Sequence, residues 1–137
     1  MMSALSCLVS ITLAALGGLH IYWALGGRWA GDVAIPTRED GGPVFTPGPW
    51  ACIAVALGLF GIAGFCLMRL WLTEHLQFET GAYWSLATIF ALRVIGDFHY
   101  VGFFRKVKHT RFAHMDRLLY SPLCMVYSAV FAVLAMG

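Results

Sequence analysis

The chain has 137 residues, of which 60% are hydrophobic and 12% charged, with a formal net charge of +2. Soluble domains carry about 25% charged residues, so this chain lacks the charge to cover a small globule in water, and much of its surface is expected to face lipid. The small net charge, with the basic residues gathered between Arg105 and Arg117, argues against a nucleic-acid partner and reads as a topology signal.

Residues 4–25 form an apolar run broken only by His20, long enough to cross a bilayer. No Lys or Arg precedes it and no small-residue cleavage site follows, so it reads as a retained first helix and not as a signal peptide. Gly26 and Gly27 end it. Residues 26–49 are rich in Gly and Pro (Pro36, Pro43, Pro47, Pro49) and read as a loop; loops of this length are often functional. Residues 50–72 make the second span, with Arg69 near enough to its end to snorkel. Ala51, Ala54, Gly58 and Gly61 recur three and four apart, a face that a neighbouring backbone can approach. A partner membrane protein would meet Ala54, Gly58 and Gly61. Thr73–Gly81 is a turn whose Glu74, His75 and Glu79 read as solvated and not as a metal cluster; no metal site is expected.

Residues 82–104 make the third span, with Arg93, Asp97 and His99 inside it. Residues 105–117 form a basic connection, and 118–136 the fourth span. There Ser121-Pro122 reads either as a helix start or as a kink in a helix beginning near Ala113. Cys7, Cys52, Cys66 and Cys124 form no C-x-x-C pair and read as buried small side chains. The expected architecture is all-α, a single-domain integral membrane four-helix bundle. Arg28, Arg38, Arg105, Lys106, Lys108, Arg111 and Arg117 lie on one side of it against Arg69 alone. The positive-inside rule therefore makes loops 26–49 and 105–117 cytoplasmic and both termini external.

Within this frame Arg93 and Asp97, four apart on one helix, are expected to pair. A charge inside a membrane faces the bundle interior and marks function, or fixes register; both readings stay open. His20, Trp23, Trp29, Arg93, Asp97, His99, Asp116 and Tyr120 converge on the cytoplasmic half and form the candidate ligand site. His20 would stand in the wall of a cavity with Arg93 or Asp97 at its base, and loop 26–49 would act as its lid.

The run His20-Ile21-Tyr22-Trp23-Ala24-Leu25-Gly26-Gly27 resembles the opening motif of an uncharacterised bacterial membrane family, domain-of-unknown-function family 3995. The run from Arg93 through Gly96-Asp97 to Gly102-Phe103-Phe104 resembles its central motif. Phe112-Ala113 with Asp116, then Tyr120-Ser121-Pro122-Leu123-Cys124, resembles its last. The resemblance implies a four-helix protein of the bacterial inner membrane and brings no activity with it. Three functions follow. The first is a binding module holding a lipid, isoprenoid or quinone. The second is a non-catalytic subunit or assembly factor. The third is an enzyme using His20 or His99 as acid or base with Arg93 and Asp97. A haem variant of the third would need His20 and His99 on facing helices. Neither the cofactor nor the catalytic residues are named by the sequence.

Overall fold

The computed structural model describes residues 2–71 and 78–137. Of the expected turn 73–81, the part with Glu74 and His75 lies outside the described residues, whereas Glu79 opens a helix and is buried, not solvated. The chain is all-α: α1 Met2–Ala24, α2 Gly31–Ala34, α3 Pro49–Trp71, α4 Glu79–Ile95, α5 Arg111–Met115 and α6 Ser121–Ala135, with a π-helical turn, Asp116–Tyr120, joining α5 to α6. Among the described residues, three stretches are long and apolar enough to cross a membrane: Ser3–Ala24, Pro49–Trp71 and Arg111–Ala135.

The chain forms two compact units, Met1–Trp29 with Pro47–Leu76, and Ala30–Thr46 with Gln77–Gly137. In the first, α1 packs on α3. Ser6, Val9, Ser10 and Leu13 are buried on one side and Cys52, Ala56, Ala63 and Cys66 on the other, each set at helical spacing. Ser10 Oγ donates to the Ala63 carbonyl at 3.0 Å, an interhelical bond of the kind that joins helices in lipid. A Cβ on Gly17 would come within 3.0 Å of the Phe60 ring, so this glycine admits the ring. The packed face of α3 is not the small-residue face expected from sequence. Ala51, Ala54, Gly58 and Gly61 are exposed, and a Cβ on Gly58 or Gly61 would meet nothing within 4 Å.

In the second unit α4 packs on α6. Tyr83 stacks on Phe131 at 6.2 Å between ring centroids, and Phe90 lies against both Phe131 and Tyr127. Ser128 Oγ donates to the Ala87 carbonyl at 2.8 Å. Aromatic pairs at these separations add to the stabilisation from burial.

Two expected boundaries are corrected. The third span does not run to Phe104; α4 stops at Ile95, because Gly96 caps it with φ +84° and donates its N–H to the Leu92 carbonyl. Asp97 and His99 therefore stand in a loop and not in a helix. The last helix starts at Arg111 and not at Leu118, the earlier of the two starts the sequence allows. Thr110 caps it, its hydroxyl accepting the Ala113 N–H at 3.1 Å, the usual N-cap bond. Pro122 then supplies no N–H to the Leu118 carbonyl, and the Ser121 N–H bonds to the Asp116 carbonyl instead. That single register step is the π turn.

Candidate functional site

The end of α1 is closed by its own motif. Gly26 adopts φ +91°, the Gly26 N–H reaches the Trp23 carbonyl at 3.0 Å, and the Gly27 N–H reaches the Tyr22 carbonyl at 3.0 Å. This is a Schellman-type C-cap. A Cβ on Gly27 would lie 2.3 Å from the Tyr22 ring, so the second glycine lets the ring cover the turn. Trp29 folds back: its N–H donates to Tyr22 Oη at 3.3 Å, and its carbonyl accepts from Trp23 Nε1 at 2.9 Å. His20 Nδ1 lies 2.8 Å from the Leu16 carbonyl, which only accepts, so that nitrogen is the donor. The His20 ring meets Trp23 edge-on at 5.1 Å. These bonds terminate and orient a helix.

The loop after α4 is folded round two glycines and one carboxylate. Asp97 Oδ1 accepts the N–H groups of His99, Tyr100 and Val101 at 2.7–2.9 Å. Burial acts to raise this carboxyl, but the three donors outweigh it and hold Asp97 below the ordinary carboxylate value. Gly96 and Gly102 touch; a Cβ on Gly96 would sit 1.8 Å from the Val101 carbonyl oxygen, and one on Gly102 would sit 2.5 Å from that of Ile95. Both have positive φ, so glycine answers both demands.

The expected Arg93–Asp97 pair does not form. Arg93 Nη2 instead donates to Asp116 Oδ1 at 2.9 Å. An i,i+4 pair needs a helix running through both residues, and the helix has ended between them. Asp116 is fully buried and holds four donors. Besides Arg93, its Oδ1 accepts from Ser121 Oγ at 3.2 Å, and its Oδ2 accepts from the Gly102 N–H at 2.8 Å and from Arg105 Nη1 at 2.9 Å. Arg105 donates further to the Gly102 and Ala113 carbonyls. Burial presses its guanidinium down from the ordinary value, against the pull of Asp116, while Arg117 and Arg93 add to the depression. Two guanidinium groups share one carboxylate, and Arg93 Nη1 and Arg105 Nε are buried without a partner. The cluster ties the end of α4, the loop at Gly102 and the start of α6 into one piece.

The segment 30–46 packs on this piece. Asp32 Oδ2 accepts from Arg111 Nη1 at 2.6 Å, and Tyr120 Oη donates to the Val33 carbonyl at 3.1 Å. The first loop therefore lies at the same end of the second unit as the start of the last helix. Two open clefts result. One, of about 620 Å³, has Asp32, Arg38, Glu39, His109 and Arg111 in its walls, with Ile35 and Pro43 as apolar patches. The other, of about 530 Å³, is lined by Arg38, Glu39, Asp40, His99, Tyr100 and Lys106. His99 is exposed and meets Tyr100 edge-on at 4.4 Å; it stands on no helix, which removes the premise of a helix-borne histidine pair for haem.

Of the residues singled out from sequence, Arg93 and Asp116 share one cluster, Asp97 and His99 share one loop, and Tyr120 anchors the first loop. His20, Trp23 and Trp29 share the α1 terminus. Arg38 and Arg111, which line the larger cleft with His109, stand out in the sequence only as basic residues of their loops, and His109 does not stand out at all. The sequence signal for Arg38 is the turn chemistry of Pro36-Thr37-Arg38-Glu39-Asp40-Gly41-Gly42-Pro43; His109 and Arg111 reach the cleft through the fold alone.

No curated protein and no solved structure matches the chain. A family model does match, over residues 13–131, which takes in the α1 terminus, the Asp97 loop and the Asp116 cluster; the chain belongs to the family described as protein of unknown function (DUF3995).

Proposed function

We propose that this is a multi-pass inner-membrane protein of four helices whose loops 26–49 and 105–117 face the cytoplasm, and that it binds a small amphipathic molecule without transforming it. The observation that carries the reading is the cleft of about 620 Å³, where charged walls meet the apolar Ile35 and Pro43. Ligand sites combine an apolar body with a few placed polar groups. The polar end of the ligand goes to this cleft and not to Arg93, Asp97 and Asp116, because those three hold the protein's own backbone and side chains. A lipid, isoprenoid or quinone would keep its tail in the bilayer.

Native mass spectrometry of the gently extracted full chain tests this. A co-purifying amphiphile, reduced by Arg38→Gln or Arg111→Gln, is the expected result. Partner chains without an amphiphile would refute it in favour of a subunit that meets its neighbour at Ala54, Gly58 and Gly61. For orientation, cysteines at Arg38 and Lys108 should be labelled from the cytoplasm and one at Gly137 from outside.

A further inference from the structure

The clefts at the loop end share a wall, the turn that carries Arg38, Glu39 and Asp40. Its backbone is tightly closed: the Arg38 N–H bonds to the Gly42 carbonyl at 2.8 Å, the Gly41 N–H to the Arg38 carbonyl at 3.0 Å, and the Val44 N–H to the Pro36 carbonyl at 2.8 Å. Gly41 supplies φ +86°, and Asp40 Oδ1 accepts the Gly42 N–H at 2.9 Å. A turn bonded this often presents its charges from a fixed base.

Those charges balance. The larger cleft is lined by Arg38 and Arg111 with Asp32 and Glu39, two permanent cations against two anions, and by His109. The smaller is lined by Arg38 and Lys106 with Glu39 and Asp40, again two against two, and by His99. An anionic head entering either cleft would meet carboxylates with no arginine or lysine to spare, and a cationic head would meet guanidinium groups in the same way. Like charges brought together oppose binding. A head that carries both signs on a short spacer satisfies both sets. The Asp32–Arg111 pair is largely exposed, so it holds its partners weakly and can exchange one for a ligand group.

We infer that the loop-end cleft recognises a zwitterion made of a primary ammonium and a phosphate ester, with Arg38 on the phosphate and Glu39 on the ammonium. This rests on the binding reading above and names the chemistry of the polar end. The source is either a phospholipid head group, with its chains in the bilayer, or a free phosphoethanolamine-like compound.

The test uses the detergent-solubilised full chain with dihexanoyl phosphatidylethanolamine, phosphatidylcholine and phosphatidylglycerol, and with soluble glycerophosphoethanolamine, whose phosphodiester keeps the net charge of the lipid head. The ethanolamine lipid should bind about tenfold more tightly than the other two lipids, since a charge-assisted hydrogen bond is worth at least that factor. Choline offers no N–H, and glycerol offers no charge. Arg38→Gln should weaken ethanolamine-lipid and glycerol-lipid binding alike, whereas Glu39→Gln should weaken the ethanolamine lipid and strengthen the glycerol lipid. Both positions are exposed, so an unchanged thermal transition is expected to show that folding is intact. Soluble glycerophosphoethanolamine binding as tightly as its lipid would support the zwitterion and make a free compound its source. Glycerol or choline lipid binding as tightly as the ethanolamine lipid, or affinities unmoved by both substitutions, would overturn the inference while leaving the binding function in place. Failure of every lipid and of the free compound to bind would overturn the inference, and the absence of any co-purifying amphiphile would overturn the binding reading as well.

Discussion

Asp116→Ala should be the most damaging side-chain truncation in the second unit. Asp116 is fully buried, and the change removes the acceptor for four donors at once: Arg93, Arg105, Ser121 and the Gly102 N–H. The Arg105 side chain is only 2% exposed, so its guanidinium would be left charged and enclosed, held by the Gly102 and Ala113 carbonyls alone. Breaking one side of a buried pair costs about 3–5 kcal/mol, and that is the expected loss. The Arg93 side chain is 32% exposed, and Asp116 keeps three other donors without it, so Arg93→Gln should cost less, about 1.5–3 kcal/mol. Replacing both members, Asp116→Leu with Arg105→Met, should cost well under the sum of the two single changes, because no charge is then stranded. Denaturant titration in mixed micelles, read by tryptophan fluorescence, orders these variants. Asp97→Ala and Arg93→Leu should be additive in the same assay, since the two residues are not partners. A loss below about 1 kcal/mol for Asp116→Ala, far under what a stranded buried charge costs, would refute the reasoning, as would additivity of the Asp116–Arg105 pair.

Two further perturbations probe the loop. The Asp97 carboxyl is held below its ordinary value by three backbone donors, so its contribution to stability is complete above the unfolded carboxylate value of about 3.9 and is lost as pH falls through the lower, folded value. Unfolding followed from pH 6 to pH 2 should therefore be less steep in acid for Asp97→Asn than for the wild type; identical acid limbs would deny Asp97 this role. Gly102→Ala and Gly96→Ala each force a Cβ onto backbone at positive φ and should each destabilise by about 2 kcal/mol or more. Gly58→Ala, with open space at its Cβ, should be close to neutral in the same titration.

The extent of the membrane helices was legible where hydropathy and chain punctuation agree. Gly26-Gly27 after an apolar run closes α1 within a residue or so of the expected end, and Pro49 opens α3 where the proline-rich loop gives way. Hydropathy failed after Ile95. Phe98, Tyr100, Val101, Phe103 and Phe104 keep the composition apolar, yet Gly96 and Asp97 stop the helix. Composition counts side chains and is blind to φ. Gly followed by Asp is a stop signal, and the apolar residues beyond it mask that signal in a hydropathy window.

The motifs themselves, Arg93, Gly96-Asp97, Gly102, Asp116 and Ser121, were visible along the chain, but their roles were not. The sequence by itself determined that this chain is helical, apolar enough for a membrane and basic in its first and third loops, because those properties are sums over local stretches. Only the tertiary structure decided that Arg93 bonds Asp116 across 23 positions and Arg105 across 11. It likewise decided that Arg38 and Arg111 line one cleft. Once the helix ends at Ile95, the partner of a buried charge is whichever opposite group the loop brings back to it, and that choice depends on the path of the chain and not on spacing along it.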